Sequence, residues 1–404
     1  MAKGATSTLA IDGGAPVRDK YLPFHRPLLG EEEEKEVIDA LRSGWITTGP
    51  KTRQFERQFA EYVGAPHAVA TNSCTAALHL ALIAGGVRPG DEVITSPITF
   101  ASTANVIIHA GATPVFVDVE PDTLNMDASK LASAVSGKTR AIIPVHFAGN
   151  PCDMEAIQAI ASPKDILVVE DAAHATGARY RDRPIGAVSK ATCFSFYATK
   201  NITTGEGGML TTADAELAER VAILSLHGIS ADAWKRYAQK GYQHWEIVYP
   251  GYKYNMSDLQ AALGLCQLKK ADSFWMERRR QVDFYNEAFA DLPEVVPLAV
   301  RPGVRTSYHL YVIQLQTERL RVDRDTFIRA MEAENIGIGI HFRAVHLHPY
   351  YRQAYGFGPG LCPVAERASE RVMSLPLFPG LARADQELVV EAVRKLVGNY
   401  RRTE

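Results

Sequence analysis

Short β-branched runs alternate with helix-like segments over the first half of the chain. The strand-like runs cover residues 67–71, 91–95, 113–119, 139–145 and 166–170, and the helix-like segments between them cover residues 75–85, 101–111, 128–136 and 154–161. Strands that alternate with helices of this length indicate right-handed βαβ crossovers and a mainly parallel sheet. Two more strand-like runs, residues 191–197 and 208–212, extend the predicted sheet to seven strands, and a long helix is predicted over residues 257–289.

The pattern differs at the two ends of the chain. Residues 1–30 contain prolines at positions 16, 23 and 27 and predict an irregular arm. After about residue 290, strands at 308–315 and 336–342 mix with helices at 324–335, 365–373 and 384–397 and a proline-rich turn at 375–379. The sequence therefore predicts an arm (1–30), a large α/β domain (31–280) and a smaller C-terminal α+β domain (281–404) that the arm closes over.

A helix with an acidic start is predicted over residues 31–43. Glu31 to Glu34 would lie at the positive end of the helix dipole, which favours negative charge. The same four side chains could form an acidic partner site, but a solvated first helical turn is the ordinary use of such a run.

Composition and charge narrow the function classes. The 404 residues are 46% hydrophobic and 22% charged, which is typical of a folded globular protein. Forty-four Lys plus Arg against forty-six Asp plus Glu give a formal charge of −2. We therefore expect no nucleic acid partner and no anionic membrane partner, because neither would be attracted by a near-neutral chain.

The cysteines and the first residues bear on the compartment. The five cysteines are dispersed without a CxxC pair, which is a poor disulfide framework and a poor metal site. The first ten residues lack the basic and apolar regions of a signal peptide, and no apolar run approaches the ~18 residues that span a bilayer. We expect a cytoplasmic protein without a metal site and without a membrane segment.

Candidate binding groups follow the predicted strands, where ligands of open α/β sheets bind. The first strand runs into Asn72-Ser73-Cys74-Thr75 at the start of a helix, where small hydroxyl residues and free N–H groups suit a phosphate. An ordinary Ser/Thr helix cap would look the same. Neither a GxxxxGK[ST] loop nor a GxGxxG turn is present, so the two standard nucleotide fingerprints are missing.

Two further strands end in groups that suit a planar ligand. Phe100 follows the second strand and could stack on a ring or cap the core. The fifth strand closes on Glu170 and Asp171, with His174 just beyond. A carboxylate at the end of a buried strand is costly unless it meets a cation. Asp171 could therefore hold a metal, a sugar hydroxyl or a protonated ring nitrogen, or it could cap the next segment.

A lysine follows the next predicted strand in the arrangement Ser195-x4-Lys200, with a glycine turn at 205–208. A lysine among aromatic and small residues can have its pKa lowered, which frees the amine to attack carbonyls, although a lone lysine is more often a solvated charge. The order of phosphate site, aromatic ring, strand-end aspartate and lysine matches the parts that pyridoxal phosphate requires.

Several segments resemble the DegT/StrS-type sugar aminotransferases, which are fold-type I pyridoxal-phosphate enzymes. They include SGWITTGP (43–50), TNSCTAALH (71–79), VEDAAHATGA (169–178) and FSFYATKNITTGEGGM (194–209), and the resemblance runs from about Leu22 to the last helix. GWITTGP and HFRA (341–344) are similar to the UDP-4-amino-4-deoxy-L-arabinose aminotransferase branch. The resemblance implies the fold-type I architecture: an α/β domain with a mainly parallel seven-stranded sheet and a smaller α+β domain.

The resemblance also implies roles for residues of this chain. Lys200 matches the Schiff-base lysine, and Asp171 matches the partner of the pyridine nitrogen. The other implied cofactor contacts are His174 near the ring hydroxyl, Phe100 against the ring, Cys74, Thr75 and Ser195 at the phosphate, and Asn255 at the phosphate of the neighbouring subunit.

Substrate contacts are implied for Trp45, Thr47, Thr48, His341 and His346, although His341 and His346 would also suit a domain interface. The aromatic-rich stretch 237–254 could shelter the site or form a subunit contact. The resemblance implies a homodimer with shared active sites.

The function that the resemblance implies is amino-group transfer from L-glutamate, which becomes 2-oxoglutarate, to a nucleotide-linked keto-sugar such as a UDP-4-keto sugar. A keto-cyclitol or 3-keto-sugar aminotransferase and a non-catalytic pyridoxal-phosphate-binding regulator are the alternatives. Lys200 argues against the dehydrating branch of the family, in which a histidine replaces the lysine.

Overall fold

The computed structural model describes residues 8–230 and 246–402. The strands are β1 His67–Thr71, β2 Glu92–Thr95, β3 Thr113–Phe116, β4 Thr139–Ile143, β5 Leu167–Asp171, β6 Arg179–Tyr180, β7 Arg183–Pro184, β8 Ala191–Ser195, β9 Gly208–Thr212, β10 Val295–Pro297, β11 Val304–Arg305, β12 Tyr311–Leu315 and β13 Val372–Leu375. Part of the aromatic-rich stretch, residues 237–245, lies outside the described residues.

Twelve α-helices lie in the described ranges. They are α1 Glu31–Ser43, α2 Pro50–Val63, α3 Cys74–Ala84, α4 Ala101–His109, α5 Ala128–Ala134, α6 Met154–Ala161, α7 Ala215–Ser225, α8 Asp258–Phe289, α9 Arg324–Ala333, α10 Pro349–Tyr355, α11 Pro363–Ser369 and α12 Arg383–Tyr400. Short 3₁₀ turns occur at Ala10–Asp12, Phe147–Gly149, Ser162–Lys164, Thr317–Arg319 and Val345–Leu347.

The central sheet has seven strands in the order β1-β9-β8-β5-β4-β2-β3. Only β9 runs antiparallel to its two neighbours, β1 and β8, and the remaining pairs are parallel. The predicted α/β class and the mainly parallel seven-stranded sheet are confirmed.

Apolar helices cover both faces of this sheet. Successive strand residues point to opposite faces. Val168 of β5 accordingly joins the core under α2, α6 and the start of α8, whereas Leu167 and Val169 join the core under α3, α4 and α7. Burial on both faces explains why the strands are continuous apolar runs, as expected for parallel sheets.

A second core forms around the antiparallel sheet β10-β12-β13. It includes Leu9 and Leu22 from the N-terminal arm together with the end of α8, α9 and α12. Glu334 is fully buried and accepts hydrogen bonds from the backbone N–H groups of Ala10 (3.0 Å) and Val17 (2.8 Å), which ties the arm to this core. The boundaries at residues 30 and 280 stay predictions.

One predicted element near the C-terminus is absent and another is shorter than predicted. The predicted strand at residues 336–342 is absent, because Ile336 and Gly339 make only isolated bridges, to Leu22 and Ser374. A Cβ on Gly339 would lie 2.6 Å from the His341 ring and 2.9 Å from the Phe24 ring, so the arm and the His341 side chain crowd this segment. The predicted helix at 365–373 ends at Ser369, because the following residues are drawn into β13 by pairing with β12.

Sequence analysis left three helices unassigned, α2, α7 and α10, although α2 and α7 pack closely on the central sheet. None of the helices in the described ranges is long and apolar enough to cross a bilayer. All five cysteines are buried and free.

Candidate active site

A cavity of about 630 Å³ opens where β5 and β8 end and α3 and α4 begin. Eight of the residues singled out from the sequence line it: Cys74, Thr75, Phe100, Asp171, His174, Ser195, Lys200 and His341. The crossovers of a parallel sheet bring the carboxyl ends of its strands to one edge, and this edge is where those residues meet.

The N-terminus of α3 forms one wall of the cavity. Ser73 caps the helix by accepting a hydrogen bond from the Ala76 N–H at 3.1 Å. The N–H groups of Cys74 and Thr75 have no partner within the helix, because the first turn always leaves such donors free. A Cβ on Gly208 would lie 2.5 Å from the Cys74 nitrogen, so only glycine lets β9 start this close to α3. This corner offers paired N–H donors at a positive helix end, which suits an anion.

Asp171 lies on the opposite side, at the end of β5, and is 4% exposed. Its Oδ2 accepts a hydrogen bond from the Thr103 hydroxyl at 2.7 Å, and its Oδ1 accepts one from the Ala173 N–H at 3.1 Å. Burial raises the pKa of Asp171, while the bonds from Thr103 and Ala173 oppose that rise. The arrangement provides an oriented carboxylate that a cation in the cavity would stabilise.

Lys200 projects from the loop after β8 and is partly buried. Burial lowers the pKa of its ammonium group to about 8, and the charge of Asp171 offsets part of that effect. Within residues 8–230 and 246–402, the Lys200 Nζ atom has no ion pair and no hydrogen bond. A lysine in this state has an appreciable fraction of free amine near neutral pH.

Aromatic rings enclose the space between Asp171 and Lys200. The His174 ring lies parallel to Phe342 within 18°, at a centroid distance of 6.0 Å. Phe100 is 64% exposed and lies 6.2 Å from the same Phe342 ring. Burial lowers the pKa of His341 to about 3, so this imidazole lines the cavity as a neutral group.

A second, smaller cavity of about 280 Å³ contains Thr48 and Asn255. The Asn255 amide donates to the Thr48 hydroxyl at 2.7 Å, and that hydroxyl donates to the Met256 carbonyl at 2.6 Å. Asp258, at the start of α8, fixes the adjoining turn by accepting hydrogen bonds from the N–H groups of Gly49 and Thr52.

The remaining sequence-derived candidates lie outside both cavities. Trp45 is 50% exposed, and Thr47 is exposed with its carbonyl bonded to the Asp258 N–H at 2.8 Å. His346 is fully buried and bonds to Glu366 at 3.0 Å. The structure therefore separates these residues from the cavity that holds Lys200.

Sequence reasoning missed two groups of residues at or behind the cavity wall. Thr99 lines the cavity and Thr103 lies behind it, and this i, i+4 hydroxyl pair around the start of α4 is a signal that could have been found, although its contact with Asp171 could not. His309 is 3% exposed and its ring lies 4.4 Å from that of His174. No local sequence motif identifies His309, because His174, the residue that its ring contacts, lies more than a hundred positions earlier in the chain.

The cavity fits pyridoxal phosphate and offers no metal site. Within the described ranges, no group of three or more His, Cys, Asp or Glu side chains could hold a metal ion. The α3 donors suit a phosphate, Asp171 suits a cationic ring nitrogen, and Lys200 suits a carbonyl carbon. The buried His174 Nδ1 atom has no hydrogen-bond partner among the described residues and is available to a polar group of a bound ring.

Known proteins resemble this chain over nearly its whole length. The model of the DegT/DnrJ/EryC1/StrS aminotransferase family matches residues 27–394. The spore coat polysaccharide biosynthesis protein SpsC of Bacillus subtilis is 51% identical over 381 residues, which cover 94% of this chain and 98% of SpsC.

Solved structures agree with that assignment. Spr1654 from Streptococcus pneumoniae in its PMP form superposes with a TM-score of 0.88 at 38% identity, covering 94% of this chain and 99% of Spr1654. DesI in the presence of its TDP-sugar product superposes with a TM-score of 0.87 at 31% identity, covering 98% of this chain and 97% of DesI. The chain belongs to the DegT/DnrJ/EryC1/StrS aminotransferase family and is a pyridoxal-phosphate-dependent sugar aminotransferase.

Proposed function

We propose that this enzyme transfers an amino group from L-glutamate to a nucleotide-linked keto-sugar, with a UDP-4-keto sugar as the preferred acceptor. The observation that carries the proposal is the placement of Lys200 and Asp171 in one cavity with the N-terminus of α3. The DesI structure, determined in the presence of its TDP-sugar product, supports a nucleotide-linked acceptor. The similarity of GWITTGP and HFRA to UDP-4-keto-sugar enzymes supports a UDP-4-keto sugar as the acceptor.

The cofactor would be held at three points. The N–H groups of Cys74 and Thr75 would bind its phosphate, with the Ser195 hydroxyl nearby. Asp171 would accept a hydrogen bond from its protonated ring nitrogen, and Phe100 would cover one face of the ring. When bound there, pyridoxal phosphate supplies a carbonyl carbon that takes up an amine and a cationic ring that withdraws electrons.

Lys200 would perform the proton transfers. Its pKa of about 8 leaves the Nζ atom able both to accept and to release a proton near neutral pH. Within the described residues, no ion pair holds this amine in its protonated form. Asp171 stays anionic and fixed by Thr103 and Ala173, so it stabilises positive charge on the ring nitrogen throughout.

We further propose a homodimer with shared active sites. Asn255 lines the second cavity rather than the one that holds Lys200, and this placement supports a ligand that approaches from another subunit. The phosphate of a neighbouring subunit's cofactor is the group that the family resemblance implies.

The compartment that we propose is the cytoplasm. The five free cysteines are all buried, and none is paired with another. Such usage is typical of proteins in a reducing environment.

The test measures the reaction with L-glutamate and the preference for an acceptor in two separate steps. The enzyme loaded with pyridoxal phosphate is mixed with L-glutamate, and the cofactor spectrum is followed; a change that excess 2-oxoglutarate reverses demonstrates the first half-reaction. The glutamate-treated enzyme is then given UDP-4-keto, TDP-4-keto and TDP-3-keto sugars and a keto-cyclitol. If the spectrum recovers fastest with the UDP-4-keto sugar, the result supports the proposal. Faster recovery with the keto-cyclitol or the 3-keto sugar would overturn the proposed choice of acceptor. No response to glutamate would favour a regulator.

A further inference from the structure

Two buried threonines connect the cavity to the carboxylate of Asp171. Thr103 is fully buried and Thr99 is 3% exposed, and their hydroxyl oxygens are 2.7 Å apart. Thr103 lies a further 2.7 Å from the Asp171 Oδ2 atom. Thr99 lines the cavity, whereas Thr103 does not.

The direction of these hydrogen bonds follows from the donors available. An ionised carboxylate can only accept, so the single hydroxyl proton of Thr103 is committed to Asp171. Thr103 must then accept from Thr99, which gives the order Thr99 to Thr103 to Asp171. Among the described residues, Thr103 provides the only side-chain hydrogen bond to this carboxylate.

We propose that Thr103 is a positioning residue, supported by Thr99, that keeps the proton shared between Asp171 and the cofactor on the ring nitrogen. The inference rests on the proposed pairing of Asp171 with that nitrogen. A hydrogen bond to a carboxylate stabilises its charged form and lowers its affinity for a proton. The bond from Thr103 therefore makes Asp171 a weaker competitor for the shared proton.

Helix α4 is suited to hold this donor in place. Its N-terminal turn begins at Phe100, and the Thr103 N–H bonds to the Phe100 carbonyl at 3.2 Å. The Ala173 N–H fixes the other carboxylate oxygen at 3.1 Å, so the plane of the carboxylate is set from both sides. Asp171 thus lines the cavity with each of its carboxylate oxygens held by one hydrogen bond.

The test uses the holoenzyme reconstituted with pyridoxal phosphate that carries ¹⁵N in its ring. The ¹⁵N chemical shift reports whether the ring nitrogen is protonated, and it does not depend on turnover. We expect the wild-type signal at the protonated position and the Thr103→Val signal displaced toward the unprotonated position. The kcat of Thr103→Val should fall on the order of tenfold, with the KM for glutamate little changed, since a bond to a charged group is lost.

Two controls separate positioning from a general structural effect. Thr103→Ser keeps the hydroxyl and should restore both the shift and kcat toward wild type. Thr95→Val removes another buried hydroxyl, which donates to the Ile143 carbonyl at 2.9 Å in the same sheet, and should leave the ¹⁵N shift unchanged. If Thr103→Val does not fold, Thr99→Val replaces it, with a smaller displacement of the same sign expected.

The outcomes also separate this inference from the proposed function. Wild-type activity in Asp171→Asn would overturn the role of Asp171 and this inference together. An impaired Asp171→Asn alongside a wild-type ¹⁵N shift in Thr103→Val, or in Thr99→Val if that variant is used, would overturn this inference alone. A displacement that Thr103→Ser fails to reverse would also overturn it.

Discussion

Asn255 donates its side-chain amide to the hydroxyl of Thr48 at 2.7 Å, which joins the segment before α8 to the loop before α2. These residues are 207 positions apart in the chain, and both line the second cavity rather than the one that holds Lys200. If a neighbouring subunit brings its cofactor phosphate here, the contact site is preassembled in each monomer.

Subunit complementation tests this arrangement. Lys200→Ala should be inactive, and Asn255→Ala should lose cofactor affinity by about tenfold, as expected for one hydrogen bond to a charged acceptor. After subunit exchange between the two variants, each heterodimer would hold one site with both defects and one site with neither. Activity above that of either parent is the expected result. No rise, with exchange shown by mass spectrometry of tagged chains, would mean that Asn255 serves its own chain.

Replacement of Lys200 tests the nucleophile directly. Lys200→Ala should abolish turnover, because the Nζ atom is the amine that lines the cavity and burial lowers its pKa. Borohydride treatment should fix the cofactor to the peptide that contains Lys200 in the wild type, and peptide mass measures this. Lys190→Ala is the matched control, since the Lys190 side chain is exposed and pairs with Asp214 at 3.4 Å. Turnover in Lys200→Ala near the wild-type rate would contradict the assignment.

The pH dependence of cofactor capture follows from the same amine. The pKa of Lys200 is lowered from 10.5 to about 8, so the reactive free amine increases about tenfold per pH unit below 8 and levels off above it. Stopped-flow rates of pyridoxal phosphate capture by the ligand-free enzyme should follow that curve. The charge of Asp171 raises the Lys200 pKa, so Asp171→Asn should move the midpoint to lower pH. A midpoint above 10 would contradict the burial argument.

Asp171→Asn should separate cofactor binding from catalysis. The amide keeps the size of the side chain but carries no charge, so the ring nitrogen loses the anion that holds its proton. We expect kcat to fall by roughly two to three orders of magnitude, with the cofactor still bound. Glu170→Gln is the control, because the neighbouring Glu170 is also buried but bonds to His146 (2.7 Å) and Thr192 away from the cavity. Equal loss in both variants would indicate a structural effect.

Gly208→Ala should weaken phosphate binding through the backbone of α3. The added methyl group would lie 2.4 Å from the Ser73 carbonyl carbon and 2.5 Å from the Cys74 nitrogen, and neither backbone atom can move without shifting the helix start. Cofactor affinity, measured by fluorescence titration, should fall on the order of tenfold or more. Gly398→Ala places the same methyl group in open space within α12 and should leave the affinity unchanged. Unaltered cofactor affinity in Gly208→Ala would show that the start of α3 can shift without weakening phosphate binding.

Local pattern in the sequence was sufficient for much of the fold. The runs at 67–71 and 208–212 and the helices at 31–43 and 154–161 coincide with elements of the structure, because each carries a complete apolar or capping signal within a few residues. Ser73, Asp171 and Lys200 each lie at or just after the end of a strand (β1, β5 and β8), which also placed them at one edge of the sheet, since parallel crossovers leave little freedom.

Tertiary structure decided the rest, because it depends on contacts between distant segments. Val372 to Leu375 became a strand only by pairing with β12, and Ile336 to Phe342 makes only isolated bridges, to Leu22 of the arm and to Ser374, instead of the predicted strand. The sequence could not show that Asn255 lies apart from Lys200, or that Thr103 bonds to Asp171 across 68 positions. The packing of the helices on the sheet decides which distant side chains meet, and no local sequence pattern encodes those contacts.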